Sequence, residues 1–269
     1  LKAIACMDLT TLSGDDTQSN VTRLCAKARN PVRKDLLQAM GMQDSGLTTG
    51  AVCVYHNLIP YAKEALKGSN IPIAAVSTGF PAGQIELEDK LREIKKSVAA
   101  GATEIDIVVS RALIIQSKWK ELYEEIKACR VACGHAHLKT ILATGEIPTL
   151  TKVALASMVA MMAGSDFIKT STGKEPVNAT LPVSLVMIRM IRLYQEMTGY
   201  KVGFKPAGGI SKAKDAIAWL ILIKEELGDE WLNPDLFRFG ASSLLGDIER
   251  QLEHFVTGRY SAAHRHPMA

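Results

Sequence analysis

Eight short β-prone runs recur along the chain with helical segments between them, and this alternation constrains the fold more than any other feature. Several runs are almost continuously apolar, as strands buried on both faces of a parallel sheet are. The runs are Ala3–Met7, Ala51–Tyr55, Ile73–Val76, Glu104–Val109, Leu138–Leu142, Asp166–Lys169, Val202–Lys205 and Phe237–Gly240. Their order predicts repeated strand–helix units with parallel strands.

The segments between the runs have the apolar spacing of amphipathic helices. Leu87–Ala99 carries apolar side chains three and four residues apart, and Trp119–Ala132 and Val183–Thr198 show the same pattern. A further helix is predicted over Ala213–Leu227, with Ser211 as its N-cap.

The number of these units indicates a closed barrel. The chain has 269 residues, which is about the length of a (β/α)8 TIM barrel with eight strand–helix units. A doubly wound open sheet is the competing architecture, but eight units and the lack of G-x-G-x-x-G after the first run argue against it. We therefore predict one α/β domain, a single (β/α)8 TIM barrel over residues 1–269, with a short polar tail from about residue 259. The long connection over residues 30–49 is expected to carry a short helix.

Composition excludes several classes of protein. Hydrophobic residues make up 47% of the chain and charged residues 22%, which is typical of a globular protein with a large core. The net charge of +4 is small, so neither nucleic acid nor a membrane surface is expected as a partner. The most apolar segment, between Lys152 and Asp166, is shorter than the about 20 residues that span a bilayer, which predicts a buried helix. Five scattered cysteines and no visible secretory signal predict a reducing, cytoplasmic location.

Charged residues at the ends of three runs point to an active site. Lys169 ends the sixth run, Lys205 ends the seventh, and Asp106 lies within the fourth. The carboxyl ends of barrel strands converge at one mouth, and neighbouring strands lie under about 5 Å apart. Burial and a second ammonium lower the pKa of a lysine, and the neutral amine can form a Schiff base with a carbonyl. A lone lysine here would normally point to solvent, but two lysines with a carboxylate favour catalysis.

Glycines and hydroxyls after the last three runs indicate a phosphate site. Barrels often bind phosphate at this corner with backbone N–H groups and a helix N-terminus. Each turn alone would be ordinary, but three on consecutive strands predict an anion site. These turns are Gly173-Lys174, Gly208-Gly209 and Gly240-Ala-Ser242-Ser243.

Four segments together resemble the 2-deoxyribose-5-phosphate aldolase family. They are Ile-Lys169-Thr-Ser-Thr-Gly-Lys174, Gly-Phe-Lys205-Pro-Ala-Gly-Gly209, Phe-Gly240-Ala-Ser-Ser243 and Met-Asp8-Leu-Thr-Thr11. The resemblance extends from Leu1 to about Tyr260, and residues 30–49 resemble the longer form of animal members.

The resemblance implies a class I aldolase without metal or cofactor, which cleaves 2-deoxyribose 5-phosphate reversibly to acetaldehyde and glyceraldehyde 3-phosphate. It implies that Lys169 is the Schiff-base lysine, that Lys205 perturbs it, and that Asp106 relays protons. The implied substrate contacts are Asp8, Thr10, Cys53, Thr172 and Tyr260. The implied phosphate contacts are Gly173, Lys174, Gly208, Gly209, Ser211, Gly240, Ser242 and Ser243.

Two alternatives remain open at this point, and the sequence departs from the family pattern at the phosphate site. Many members have arginine where this chain has Ser211, which affects the expected affinity for phosphate. The alternatives are a transaldolase-like Schiff-base barrel and a non-catalytic phosphosugar-binding protein. The expected partner is a small-molecule phosphosugar, and a homo-oligomer is left open.

The His135-Ala-His137 pair has metal-ligand spacing but no evident third ligand, so it is interpreted as a surface pair.

Overall fold

The computed structural model describes residues 1–266, so the last three residues of the predicted tail, Pro267, Met268 and Ala269, lie outside the described residues. Eight strands in this part form one parallel sheet. They are β1 (Met7–Thr10), β2 (Ala51–Tyr55), β3 (Ile73–Ser77), β4 (Glu104–Val108), β5 (His137–Ile141), β6 (Phe167–Lys169), β7 (Gly203–Lys205) and β8 (Phe239–Ala241).

Strand order shows that the sheet curls into a barrel. Strands β1 to β7 pair with their neighbours in chain order, and β8 returns to pair with β1. Parallel bridges between Phe204 and Phe237 and between Ala207 and Gly240 join β7 to the β8 segment. The predicted (β/α)8 barrel is therefore confirmed.

Helices follow the strands and surround the barrel. Short 3-10 turns lie at His56–Leu58, Thr144–Glu146, Asp229–Trp231 and Ala263–Arg265. The helices are α1 (Lys2–Ala5), α2 (Gln18–Arg29), α3 (Lys34–Ala39), α4 (Ile59–Ala65), α5 (Leu87–Ala100), α6 (Arg111–Ile115), α7 (Trp119–Cys133), α8 (Leu150–Met162), α9 (Leu181–Thr198), α10 (Ala213–Leu227) and α11 (Ser243–Thr257).

Most predicted helices are present within two residues of their expected bounds. The long connection carries α3, as expected. The most apolar segment, between Lys152 and Asp166, was predicted as a buried helix and contributes most of α8. Within residues 1–266, no helix combines the length and apolarity that crossing a bilayer requires.

The first predicted strand is wrong. Ala3–Met7 was expected as β1, but Lys2–Ala5 forms helix α1 and the strand begins at Met7. A short apolar run fits a buried helical turn as well as a strand, and alanine favours the helix. Ile4 is fully buried, and α1 packs against α10.

Ser211 is not the N-cap of α10. The helix begins at Ala213, and the flanking residue is Lys212, whose side chain makes no capping hydrogen bond. Instead, the Ala213 N–H donates to Asp247 Oδ2 at 2.8 Å. A carboxylate from α11 therefore takes the role that the sequence assigned to a local hydroxyl.

The hydrophobic core lies mainly between the strands and the helices. A second, small apolar cluster lies inside the barrel, formed by Cys53, Ala74, Val76, Phe80, Val108 and Ile141. The rest of the barrel interior is filled largely by charged side chains, and these form the candidate site.

Candidate active site

Seven charged side chains meet inside the barrel, and we call them the interior ion cluster. All are nearly or fully buried. A buried charge is costly unless it is paired, so their mutual contacts hold the arrangement together. The members are Asp8, Glu104, Asp106, Lys139, Lys169, Lys205 and Arg238.

The two predicted lysines converge on the predicted carboxylate. Lys169 and Lys205 are direct partners in the pairing of β6 with β7. The Nζ of Lys169 donates to Asp106 Oδ2 at 2.8 Å, and the Nζ of Lys205 donates to the same oxygen at 2.7 Å. Lys205 also contacts Asp8 Oδ2. The strand register thus brings all three residues to one point.

The pKa values of Lys169 and Lys205 are shifted in opposite directions. Burial lowers the pKa of Lys169 below its usual value; Asp106 opposes this and the Lys205 ammonium adds to it. Burial also disfavours the charged form of Lys205, but Asp106 and Asp8 outweigh it and raise its pKa. Lys169 therefore loses its proton more readily than Lys205, and so is the better candidate nucleophile.

Two carboxylates of the cluster, Asp106 and Asp8, stay ionised. Burial favours the neutral form of Asp106, but Lys169, Lys205 and Lys139 lower its pKa strongly. The pKa of Asp8 is likewise held well below its usual value by Lys139, Lys205 and Arg238 against the effect of burial. These carboxylates are fixed negative charges at neutral pH.

The sequence analysis missed three members of the cluster, Glu104, Lys139 and Arg238. Lys139 on β5 donates to Asp8 Oδ2 at 3.1 Å and contacts Glu104. Arg238, just before β8, contacts Asp8 and donates to Glu104 Oε1 at 2.9 Å. All three lie within predicted strand runs, so a charged residue inside a β-prone run was the available signal.

The cluster balances its charge when Lys169 is neutral. Asp8, Glu104 and Asp106 then face an equal number of cations, Lys139, Lys205 and Arg238. A proton on Lys169 would leave an excess positive charge in a buried site, which is unfavourable. Charge balance and burial thus act in the same direction on Lys169.

A cavity of about 310 Å³ opens at the carboxyl ends of β6, β7 and β8. Lys169 from the interior ion cluster forms part of its wall, together with Thr10 and Leu12. The structure also places Thr172 and all eight predicted phosphate contacts there: Gly173, Lys174, Gly208, Gly209, Ser211, Gly240, Ser242 and Ser243.

The walls of this cavity offer free backbone donors at one end. Among the described residues, no protein acceptor is bonded to the N–H groups of Gly209, Ser211, Ser242 or Ser243. By contrast, the Gly173 N–H donates to the Glu175 carboxylate at 3.1 Å. The Lys174 N–H likewise donates to the Thr172 hydroxyl. Two of the three predicted turns therefore present unused N–H groups, and the third uses both of its own internally.

Gly240 is required by close packing beside the lysines. A Cβ at this position would lie 2.8 Å from the Cβ of Ala207 and 3.3 Å from the Cε of Lys205. A larger side chain would push on the strand end that carries Lys205.

The small apolar cluster inside the barrel adjoins the cavity. Cys53 and Phe80 belong to the small cluster inside the barrel, and Leu12 packs on that cluster while lining the cavity. Burial raises the pKa of the Cys53 thiol, so it remains protonated. The sequence reasoning found Cys53 but not Leu12 or Phe80.

The structure does not bring Tyr260 to the cavity. Its ring stacks on His254 with centroids 4.0 Å apart, and the residue is 60% exposed. Beyond it, His266 lies between Glu249 and Glu253 on α11. The described part of the tail thus packs along this helix, away from Lys169.

The His135–His137 pair that the sequence analysis singled out lies far from this cavity. His135 and His137 are exposed at the start of β5, the end of the barrel opposite the cavity. Within residues 1–266, no three histidine, cysteine or acidic side chains form a group suited to a metal ion.

Comparisons with known proteins agree with this geometry. The model of the DeoC/LacD family aldolases matches residues 2–245. The chain is 63% identical to a Homo sapiens protein named deoxyribose-phosphate aldolase, over all of this chain and 85% of that protein. A Mus musculus protein of the same name is 64% identical with the same coverage.

A solved structure supports the fold. A deoxyribose phosphate aldolase from Aeropyrum pernix, whose title describes a tetramer, superposes with a TM-score of 0.65 at 24% identity. The match covers 95% of this chain and 92% of that one. With the family model matching nearly the whole length, the resemblance inferred from the four sequence segments is confirmed: the chain belongs to the DeoC/LacD family of aldolases.

Proposed function

We propose that this chain is a Schiff-base aldolase that reversibly cleaves 2-deoxy-D-ribose 5-phosphate to acetaldehyde and D-glyceraldehyde 3-phosphate. One observation carries the proposal: Lys169, whose pKa is lowered, lies on the wall of a cavity whose far end presents unused N–H groups. A carbonyl at one end and a phosphate at the other match this arrangement. The names of the 63–64% identical relatives support the same substrate.

The first steps use the amine of Lys169. The neutral amine attacks C1 of the open-chain sugar. The adduct then takes up one proton from solvent and loses water to form a protonated imine. The nitrogen thereby gains a positive charge beside Asp106, whose Oδ2 lies 2.8 Å away. The same carboxylate that accepts a hydrogen bond from the free amine can therefore stabilise the charged intermediate.

Cleavage breaks the C2–C3 bond, since acetaldehyde takes two carbons. The electron pair of this bond moves toward the protonated imine and leaves an enamine, while the C3 hydroxyl loses its proton. Asp106 Oδ1 is suited to receive that proton: it is buried, and within residues 1–266 no donor is hydrogen bonded to it, although the Nζ of Lys139 lies 3.5 Å away as an ion-pair partner. Transfer requires hydrogen-bond distance or one bridging water.

Because the pKa of Asp106 is low, this carboxylate passes the proton on and does not retain it. A carboxylate surrounded by Lys169, Lys205 and Lys139 holds a proton only briefly. The proton from the C3 hydroxyl can pass on to C2 of the enamine, which gives the imine of acetaldehyde. Water then hydrolyses this imine, which is protonated, and releases acetaldehyde, the free amine of Lys169 and the proton taken up in the first step.

The phosphate is proposed to lie between the turns after β7 and β8. The N–H groups of Gly209, Ser211, Ser242 and Ser243 supply directional donors, and the N-terminus of α11 adds partial positive charge. Lys174, which is exposed on the cavity wall, supplies a full charge. The expected metal-free, cofactor-free reaction needs no other group.

Product analysis tests the substrate assignment. Purified protein given 2-deoxyribose 5-phosphate should release acetaldehyde, which alcohol dehydrogenase and NADH detect as loss of absorbance. Transfer of a three-carbon unit between ketose and aldose phosphates, with no acetaldehyde from deoxyribose phosphate, would instead identify a transaldolase-like enzyme. Binding of the phosphosugar without turnover would indicate a non-catalytic binding protein.

Three further expectations stay predictions. The chain is proposed to act in the cytoplasm and without nucleic acid. The tetrameric Aeropyrum pernix relative makes a homo-oligomer of this chain a natural proposal. Light scattering on the purified protein measures its assembly directly.

A further inference from the structure

The turn after β6 contains a buried carboxylate that the aldolase reaction does not use. Glu175 is 7% exposed and lies behind Thr172, Gly173 and Lys174, which line the cavity. An acid so close to a proposed anion site is unexpected, since a second negative charge repels phosphate. Its hydrogen bonds explain its presence.

The carboxylate bonds the turn at three donors. Glu175 accepts from the N–H of Thr172 at 3.0 Å to Oε1 and 3.1 Å to Oε2, and from the N–H of Gly173 at 3.1 Å. It also accepts from the Thr172 hydroxyl at 2.8 Å. These are charge-assisted bonds, which are stronger than neutral ones.

A relay runs from this carboxylate to the backbone of Lys174. The Thr172 hydroxyl donates to Glu175, and its oxygen accepts from the Lys174 N–H at 3.1 Å. The position of the Lys174 main chain thus depends on a hydroxyl that Glu175 orients. Lys174 is the cation on the proposed phosphate end of the cavity wall.

Glu175 also connects the turn after β6 to the turn after β7, through Asn178. The Asn178 side chain donates to the Glu175 carbonyl at 2.8 Å. Asn178 also packs against Gly208, where a Cβ would lie 2.5 Å from its Cγ. Glu175 thus sits at the centre of the contacts that join the β6 turn to the β7 turn.

We infer that Glu175 is a positioning residue for phosphate recognition, which holds Lys174 toward the substrate through Thr172. The inference rests on the proposed function for the identity of the anion. It assigns the Thr172 and Gly173 N–H groups to the protein's own carboxylate and not to phosphate. Phosphate is then bound by Lys174 and by the turns after β7 and β8.

Kinetics on two sugars tests this role. Glu175→Ala should raise KM for 2-deoxyribose 5-phosphate about tenfold, which is about the effect of one charged hydrogen bond. The kcat should change little, because the reacting carbons lie at the other end of the cavity. Turnover of unphosphorylated deoxyribose should also change little, and the isosteric Glu175→Gln should give a smaller effect.

A double-mutant cycle tests the route through Lys174. In a Lys174→Met background, Glu175→Ala should add almost nothing to KM, because the group it positions is gone. The matched control is Glu146→Gln, which removes the same charge from the neighbouring turn after β5, where Glu146 pairs with Arg111 at 3.0 Å. This control should leave KM for the phosphosugar unchanged.

Binding of inorganic phosphate, measured by calorimetry, separates this inference from the proposed reaction. Weaker phosphate binding by Glu175→Ala, measured where circular dichroism shows the variant to be folded, supports the inference even if the sugar proves to be a different one. Unchanged or tighter phosphate binding would overturn it, the latter by showing that the carboxylate competes with phosphate. Full additivity with Lys174→Met, or an equal effect of Glu146→Gln, would overturn it as well.

Discussion

The two ends of the cavity differ in the kind of charge that they carry. At the inner end, Lys169 belongs to a cluster of buried, full charges that pair with one another. At the outer end, the turns after β7 and β8 present mainly backbone N–H groups and hydroxyls, several of them exposed. The inner end is preorganised by its own ion pairs, so it can tune reactivity, whereas the outer end keeps its donors free for a ligand.

This difference predicts what mutations should do. A change in the interior ion cluster leaves a buried charge unpaired, which alters both stability and the pKa of its neighbours. A change at the phosphate end alters the binding of one substrate group. The following experiments test that contrast, from the largest expected effect to the smallest.

Asp106→Asn should reduce kcat by about a hundredfold or more, a typical contribution of general acid–base catalysis. Asp106 raises the pKa of Lys169, so its removal should favour the free amine. The loss must then come from proton transfer and not from protonation of Lys169. Single-turnover measurements should show that imine formation persists while C2–C3 cleavage slows, and near-normal turnover would remove Asp106 from the mechanism.

Lys205→Met should lose most activity at neutral pH and regain part of it at alkaline pH. The Lys205 ammonium lowers the pKa of Lys169, so without it that pKa rises and less free amine is present near pH 7. Each unit of increase lowers the free-amine fraction about tenfold. The pH profile of kcat/KM is the measurement, and a loss independent of pH would assign Lys205 a direct part in proton transfer.

Lys139→Met should mainly lower stability. Removing Lys139 leaves Asp8 and Glu104 with less compensation inside the barrel, and breaking a buried pair costs about 3–5 kcal/mol. Thermal unfolding should show a clear decrease in Tm. The matched variant at the other end, Lys174→Met, removes an exposed lysine and should keep its Tm; equal effects on Tm would contradict the contrast between the two ends.

The sequence predicts a member of the interior ion cluster only where it shows which side chains of a strand point into the barrel. Lys169 and Lys205 end apolar runs, so their place at the barrel mouth follows from the alternation of strands and helices. Lys139 lies inside a run, and a strand of five residues does not reveal which side chains point inward. The interior ion cluster was therefore found only in part.

Contacts that depend on loop conformation were less predictable still. Glu175 folds back onto its own turn, and Asp247 reaches Ala213 from a helix about 34 residues later in the chain. The Glu175 contact has the three-residue spacing of a capping box, which a sequence indicates only where a helix follows directly, and the Asp247 contact has no spacing rule. The offset of β1 has a different cause, because Ala3–Met7 suits a helix and a strand equally well.

Ser211→Arg should have the smallest effect and change phosphate affinity alone. Ser211 lies on the cavity wall where many family members have arginine. A guanidinium can pair two phosphate oxygens, and one charged hydrogen bond is worth roughly 1.5–3 kcal/mol. KM for the phosphosugar should therefore fall by about tenfold, with little change for deoxyribose; equal changes for both sugars would mean that Ser211 does not face the phosphate.

Trapping of the covalent intermediate tests the central claim most directly. Borohydride added with 2-deoxyribose 5-phosphate should reduce the imine and leave a stable adduct on Lys169, which peptide mass spectrometry can locate. Lys169→Arg should form no adduct and show no turnover, because a guanidinium stays protonated. An adduct on Lys205 in the wild-type protein, or substrate-dependent turnover with no adduct at all, would contradict the account.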